Sequence, residues 1–175
     1  KFHNRTACTM VPTRTLKAEL QTSGFENLRV VARGVDTQLF YPGQRDESLR
    51  STWGADDQSI VLLSVGRLAP EKNLDLIITT YDSLKKSGRR VKLVLAGDGP
   101  YRSHLKTQCP DAIFTGMCTH AQLAVLYASA DLFLFPSLTE TFGNVTLEAL
   151  ASGTPVLAFD CAAAGELIQD ASNGW

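Results

Sequence analysis

Glu140 and Glu148, with seven residues between them, are the carboxylates of this chain best spaced to do chemistry together. They bracket Thr141, Phe142, Gly143, Asn144 and Val145, a turn that runs into apolar residues at helical intervals: Val145, Leu147, Leu150 and Ala151. A helix starting here turns the amides of Phe142 to Val145, and a partial positive charge, toward an anion such as phosphate. Gly143 lets that anion approach the backbone closely. A carboxylate repels phosphate, so Glu140 and Glu148 suit the hydroxyls of a sugar or a ribose better. The plainer reading of an acid near a helix start is dipole compensation. A capping box does not explain Glu148, because Val145 stands where the box needs Ser, Thr, Asp or Asn.

A cationic group lies far upstream. Arg67 and Lys72 follow Gly66 on a loop that also holds Pro70 and Asn73. Arg offers a fork and Lys a point charge, together a clamp for a diphosphate, although such charges are most often solvated surface groups. Gly97-Asp98-Gly99-Pro100 reads as a strand-to-helix turn or as a second ligand-facing loop. Gly-x-Gly-x-x-Gly and Walker motifs are absent, as are the serine-hydrolase elbow and the His-Glu-x-x-His signature, so those enzyme classes lack their best evidence. His3, His104 and His120 have no evident catalytic partner.

Short apolar runs at 60–65, 91–96, 112–115, 132–135 and 156–159 read as strands apolar on both faces. Helical patterns fill the gaps: 74 to about 87, 101–109, 119–129, 145 to about 152, and a last one over 164–170. Strand and helix alternate, the pattern of an α/β, doubly wound parallel sheet of Rossmann-like type. In such a sheet the loops at the carboxyl ends of the strands line the ligand crevice, and Gly66, Arg67, Lys72, Gly97 to Gly99, Gly116, Met117 and Glu140 to Asn144 all fall there. Upstream, a short strand, a helix capped by Thr13 and a strand over 28–32 read as an entry region joined to the main body, and 46–54 as a polar surface connection with one or two helical turns.

The 175 residues are 44% hydrophobic and 20% charged, ordinary globular values, with a net charge of −1. No basic block offers a footprint for nucleic acid. No apolar run approaches the ~20 residues of a membrane span, and the opening KFHNRTACT lacks the pattern of a signal peptide, which suits a cytoplasmic protein. Cys8, Cys109, Cys118 and Cys161 are scattered, as free thiols of a reducing compartment would be, rather than as a metal site or a disulfide framework. Two matches to the glycosylation sequon, at Asn4 and Asn144, read as chance.

Five segments in order resemble one family. They are Ser64-Val65-Gly66-Arg67-Leu68 with Pro70-Glu71-Lys72-Asn73, Ala96 to Pro100, the Glu140/Glu148 pair with Phe142-Gly143 and Leu147 to Pro155, Val11-Pro12-Thr13, and Arg33-Gly34-Val35-Asp36 with Phe40 and Pro42. Together they are similar to the GT4 (group 1) retaining glycosyltransferases of the GT-B fold. The resemblance implies a nucleotide-sugar donor, GDP-mannose or UDP-glucose in type, bound in the C-terminal domain, and transfer of a hexose to a lipid or glycan acceptor. It implies that Arg67 and Lys72 hold the diphosphate and Glu140 the donor sugar, the three being catalytic. Glu148 would take the ribose hydroxyls, and the amides of 142–144 would lie near sugar and phosphate. Gly66, Gly97, Asp98, Gly99, Met117, Thr141 and Val145 complete the donor set. It implies no metal and no cofactor, and a front-face route that retains configuration. It also implies an inter-domain linker and the start of the C-terminal domain over 1–55, a nucleotide-sugar-binding domain over 56–175 cut before its closing helices, and a missing N-terminal acceptor domain, so that the fragment alone should be inactive. Peripheral membrane association would be a property of the full-length enzyme. A non-catalytic nucleotide-sugar-binding module and a GT-B sugar-nucleotide epimerase remain the alternatives.

Overall fold

A computed structural model describes residues 2–140 and 142–175. The main sheet has five strands: β3 (Ile60–Val65), β4 (Val91–Ala96), β5 (Ile113–Gly116), β6 (Leu132–Phe135) and β7 (Val156–Ala158), preceded in the chain by β1 (Thr9–Val11) and β2 (Leu28–Val30). Their order is β5-β4-β3-β6-β7, and every pair is parallel. The connections run through α3 (Leu74–Lys86), α4 (Arg102–Gln108), α5 (His120–Ser129) and α6 (Asn144–Ala151), with α7 (Ala162–Leu167) after β7. The order steps outward one way from β3 to β5 and then returns past β3 to β6 and β7. β3 and β6 are therefore the pair at which the winding reverses, where such sheets open a crevice.

The central strands are apolar because both faces are covered. Val61, Leu63 and Val65 of β3, Val94 and Ala96 of β4, and Phe133 and Phe135 of β6 belong to one core cluster. The intervening Leu62, Leu93, Leu95 and Leu134 belong to the other, with Leu74, Ile77, Ile78 and Tyr81 of α3. This is the two-residue alternation of the pleat, with each layer fed by every second residue. α5 is fixed at its start by a reciprocal capping box between Thr119 and Gln122.

Several expectations change in detail. The segment 46–54 makes its expected helical turns and is exposed over most of its length, but two of its residues reach the interior. α2 (Glu47–Thr52), capped by Asp46, carries Arg50 into the interior at 4% exposure, and Trp53 is buried after it. Arg50 donates to the carbonyls of Ser129 (2.7 Å) and Ser59 (3.2 Å) and to Asp131 (2.9 Å), whose carboxylate also accepts from the Val61 amide at 2.8 Å. This buried cation joins α2 to the amino ends of β3 and β6, and charge at that spacing looks solvated until the partner carbonyls are known. The entry region keeps its expected strand–helix–strand order: β1, α1 (Arg14–Thr22) and β2, with the two strands paired in parallel as a separate two-stranded sheet. Its second strand stops at Val30. The last helix begins at Ala162, two residues earlier than its apolar pattern suggests, and β5 is only half-buried throughout.

Candidate functional site

The loop after β3 owes its shape to close backbone packing. Gly66 N donates to Ala96 O (2.9 Å), Gly97 N to Gly116 O (2.8 Å) and Leu68 N to Asp98 O (2.9 Å), so the carboxyl ends of β3, β4 and β5 are stitched together. A Cβ on Gly97 would stand 1.9 Å from Gly66 O, and one on Gly99 would stand 2.3 Å from Leu68 O. These glycines are required by backbone contact. Beyond the stitch, Pro70–Lys72 makes one tight helical turn, and Asn73 closes it in the left-handed region (φ 54°) that asparagine tolerates. The turn aims Lys72 back toward β6.

Lys72 Nζ pairs there with Glu140 and lies 5.9 Å from the centre of the Phe135 ring, while Arg67 pairs with Glu71. The Lys72 and Glu140 side chains are 22% and 14% exposed, whereas Arg67 is 65% exposed. Both sequence-predicted cations thus carry carboxylate partners. The pairs line a cleft of about 580 Å³ with Arg33, Gly66, Thr139, Phe142, Gly143, Asn144 and Val145. Gly143 is the N-cap of α6 in left-handed geometry (φ 87°), with no side-chain cap bond. The amino end of α6, three cations and two carboxylates therefore share one cavity at the reversal point of the sheet. Such a cavity can hold a polyanion against the cations while a carboxylate faces hydroxyl groups beside it.

Other predicted residues fall around it. Gly97, Asp98 and Met117 line an adjoining cavity of about 370 Å³, which shares Gly66 and Arg67 with the cleft. Met117 is 78% exposed. Asp98 accepts from Arg102 at 2.9 Å and from the Gly99 amide at 2.8 Å, which holds the loop. Glu148 lies one turn into α6, where its carboxylate accepts from the Tyr127 hydroxyl at 3.0 Å. Burial first, and then the Glu148 charge, pushes the Tyr127 phenol well above its ordinary value, so it stays a donor. Glu148 is not among the residues lining either cavity, and Thr141 lies outside the described residues. Sequence reasoning missed Glu71, Arg33 and Tyr127 as site partners. Glu71 and Arg33 sit inside the segments that carry the family resemblance, whereas nothing in the spacing marks Tyr127.

The parallel, doubly wound sheet with its crevice at the reversal point makes this a Rossmann-like α/β protein. Residues 45–175 match the family model described as Glycosyl transferases group 1, and the chain belongs to that family. It is 38% identical over 173 residues to a GDP-mannose-dependent alpha-mannosyltransferase of Corynebacterium glutamicum, covering 98% of this chain and 40% of that protein. It is 39% identical over 152 residues to the alpha-monoglucosyldiacylglycerol synthase of Streptococcus pneumoniae, covering 81% and 34%. Among solved structures, WaaG, a glycosyltransferase involved in lipopolysaccharide biosynthesis, superposes with a TM-score of 0.80 at 28% identity, over 95% of this chain and 48% of that one. Anabaena HepE in complex with UDP and glucose gives a TM-score of 0.84 at 24% identity, over 98% and 50%, a likeness of fold. The chain spans about 40% of the length of the curated relatives it matches. Among the described residues, no helix is long and apolar enough to cross a membrane.

Proposed function

We propose that this chain is the donor-binding half of a retaining hexosyltransferase, taking GDP-mannose by preference and UDP-glucose as the second candidate. The observation that carries the proposal is the meeting of Arg67, Lys72, Glu140 and the amino end of α6 in one cleft. Lys72 and Arg67 take the diphosphate, joined by the amides at the start of α6, and Glu140 turns from Lys72 to the hydroxyls of the hexose. Glu148, held by Tyr127, accepts from the ribose, and Gly97, Asp98 and Met117 border the base. The GDP-mannose dependence of the bacterial relatives favours mannose.

In the transfer itself, an acceptor hydroxyl oxygen bonds to the anomeric carbon on the face that the phosphate leaves. The carbon–oxygen bond to phosphate breaks, its electron pair departs with the nucleoside diphosphate, and the hydroxyl proton passes to a phosphate oxygen. Charge builds on the leaving diphosphate, and the two cations and the helix dipole stabilise it without a metal or cofactor. In the whole protein an N-terminal domain presents the acceptor, on the cytoplasmic side and against a membrane surface. Calorimetric titration with GDP-mannose, UDP-glucose, GDP and UDP tests the reading. One matched pair of nucleotide and nucleotide-sugar should bind and be weakened by Glu148→Ala. Binding of neither pair, in this chain and in the full-length protein, refutes it.

A further inference from the structure

α7 meets the rest of the chain at two separated places. In its first turn, Ala163 N donates to the carbonyl of Phe142 at 2.9 Å. Phe142 is buried, lines the donor cleft and stands between Glu140 and the Gly143 cap of α6. Further along α7, the Glu166 carboxylate accepts from the amides of Arg14 and, at 3.3 Å, Thr15, which open α1. Those partners lie 152 and 151 residues away in the chain, so the tie is tertiary and not local. A helix starts with unpaired amides and a partial positive charge, and α1 has no acid in its own first turn. Glu166 is the carboxylate that meets both needs, beside the Thr13 hydroxyl, which accepts from Leu16 N at 3.1 Å.

α7 is built to carry displacement from one of these places to the other. No residue of α1 is buried, so its capped start, rather than an apolar face, ties it to the body. α1 and the loop before Phe142 wall a common cavity of about 600 Å³, which Asp160, Cys161, Ala162 and Gly165 complete. Ala163 and Ala164 seat α7 in the interior, and at about 9 Å long it moves as one piece. It begins at Ala162 in the left-handed region (φ 50°), which a residue with a Cβ adopts only where its surroundings impose it. The bonds from Ala163 and Glu166 hold α7 against that strain.

We infer that Glu166 is a positioning residue for the cleft: through α7 it sets the Phe142 carbonyl, and so the loop between Glu140 and α6, according to where α1 stands. Glu166 is not among the residues lining the cleft, so it acts only through α7. Coupling between two places is equal in both directions, so a ligand that fixes the loop also fixes the start of α1. The choice of GDP as that ligand rests on the donor reading above, whereas the tie itself is read without any ligand.

The test is amide hydrogen exchange and amide chemical shifts of this chain, with and without saturating GDP. Without ligand, Glu166→Ala should speed exchange at Arg14 and Thr15 about tenfold and shift the amides of Ala163 and Gly143, which flank the Phe142 bond. Glu166→Gln, which keeps an acceptor but not the charge, should restore about half of both effects. With GDP, the Thr15 amide of the parent should exchange about fivefold more slowly. In Glu166→Ala that response should vanish while the amides of 66–72 still report GDP. Ala162→Gly, which relieves the left-handed strain and leaves Glu166 in place, should blunt the Thr15 response with the melting temperature kept within about 3 °C. A purely local cap would change Arg14 and Thr15 and leave Ala163 and Gly143 unmoved. That result, or a Thr15 response to GDP that survives in Glu166→Ala, overturns the inference. If GDP moves no amide of 66–72, the donor reading falls, and the ligand-free shifts at Ala163 and Gly143 decide the tie by themselves.

Discussion

Lys72→Met and Glu140→Gln should change the affinity for a nucleoside diphosphate in opposite directions. The two side chains pair in a cleft where they are only 22% and 14% exposed, so the contact is partly shielded from water. At an effective dielectric constant of about 20, unit charges ~4 Å apart interact by about 4 kcal/mol, which is a ceiling. A charge-assisted hydrogen bond retains about 1.5–3 kcal/mol of net value after desolvation. If diphosphate replaces Glu140 as the partner of Lys72, losing the ammonium should weaken GDP about 10- to 150-fold. Neutralising Glu140 removes a competitor for that ammonium and should tighten GDP about 3- to 10-fold. GDP-mannose should gain less from Glu140→Gln, because a neutral amide accepts more weakly than a carboxylate from the hexose hydroxyls. Calorimetry at an ionic strength of about 0.15 M, with thermal unfolding of the unliganded proteins alongside, separates the cases. A purely structural ion pair would make both variants less stable and both weaker binders. That result, or affinities within about twofold of the parent for both variants, refutes the clamp.

Three further outcomes follow from the geometry. Arg50→Ala leaves Asp131 and the carbonyls of Ser129 and Ser59 short of their donor in the interior, and should cost about 3–5 kcal/mol in urea unfolding. Gly97→Ala places a methyl group 1.9 Å from Gly66 O at a φ of 129°, so it should cost about 3 kcal/mol or more and abolish GDP binding even where the fold survives, read by circular dichroism and calorimetry together. Asp111 has its carboxyl lowered to about 2 by Lys85, with Tyr81 and Cys109 also donating to it. A lowered folded value means that its contribution is complete above the ordinary carboxyl range and is lost as pH falls through about 4 to about 2. Because its side chain is 48% exposed, that contribution should be about 1 kcal/mol, and Asp111→Asn should flatten the acid limb of stability by that amount.

The parts of the fold that were legible in the sequence are those in which one element carries its own signal. β3, β4 and β6 announce themselves because both faces are buried, and the runs at 60–65, 91–96 and 132–135 coincide with the observed strands. α3 does so through Leu74, Ile77, Ile78 and Tyr81 on one face. Arg50 fails the same logic, since its burial depends on carbonyls that arrive 79 and 9 residues away. The candidate site divides similarly. Gly66, Arg67, Lys72 and Glu140 could be grouped because all fall at the carboxyl ends of strands. The pairing of Arg67 with Glu71 and of Lys72 with Glu140 depends on how the turn at Pro70–Lys72 aims its side chains, which spacing does not encode. The family resemblance implies a ribose contact for Glu148, whereas its hold on Tyr127 comes from the packing of α5 against α6.

The two sides of the candidate cleft should also meet at different times. Leu62 pairs with Leu93 of the next strand on one flank, and with Leu132, far down the chain, on the other. Closing the longer loop costs more chain entropy, so the β3–β4 half should condense first and the β3–β6 seam afterward. Lys72 and Glu140, 68 residues apart, come together only when that seam closes. A nucleotide in the cleft therefore acts on the last assembly step: it should slow unfolding by bridging the seam while leaving the folding rate nearly untouched. Occupancy by a nucleotide would then set how long each folded molecule survives proteolysis, which would tie the lifetime of the protein to the supply of that ligand.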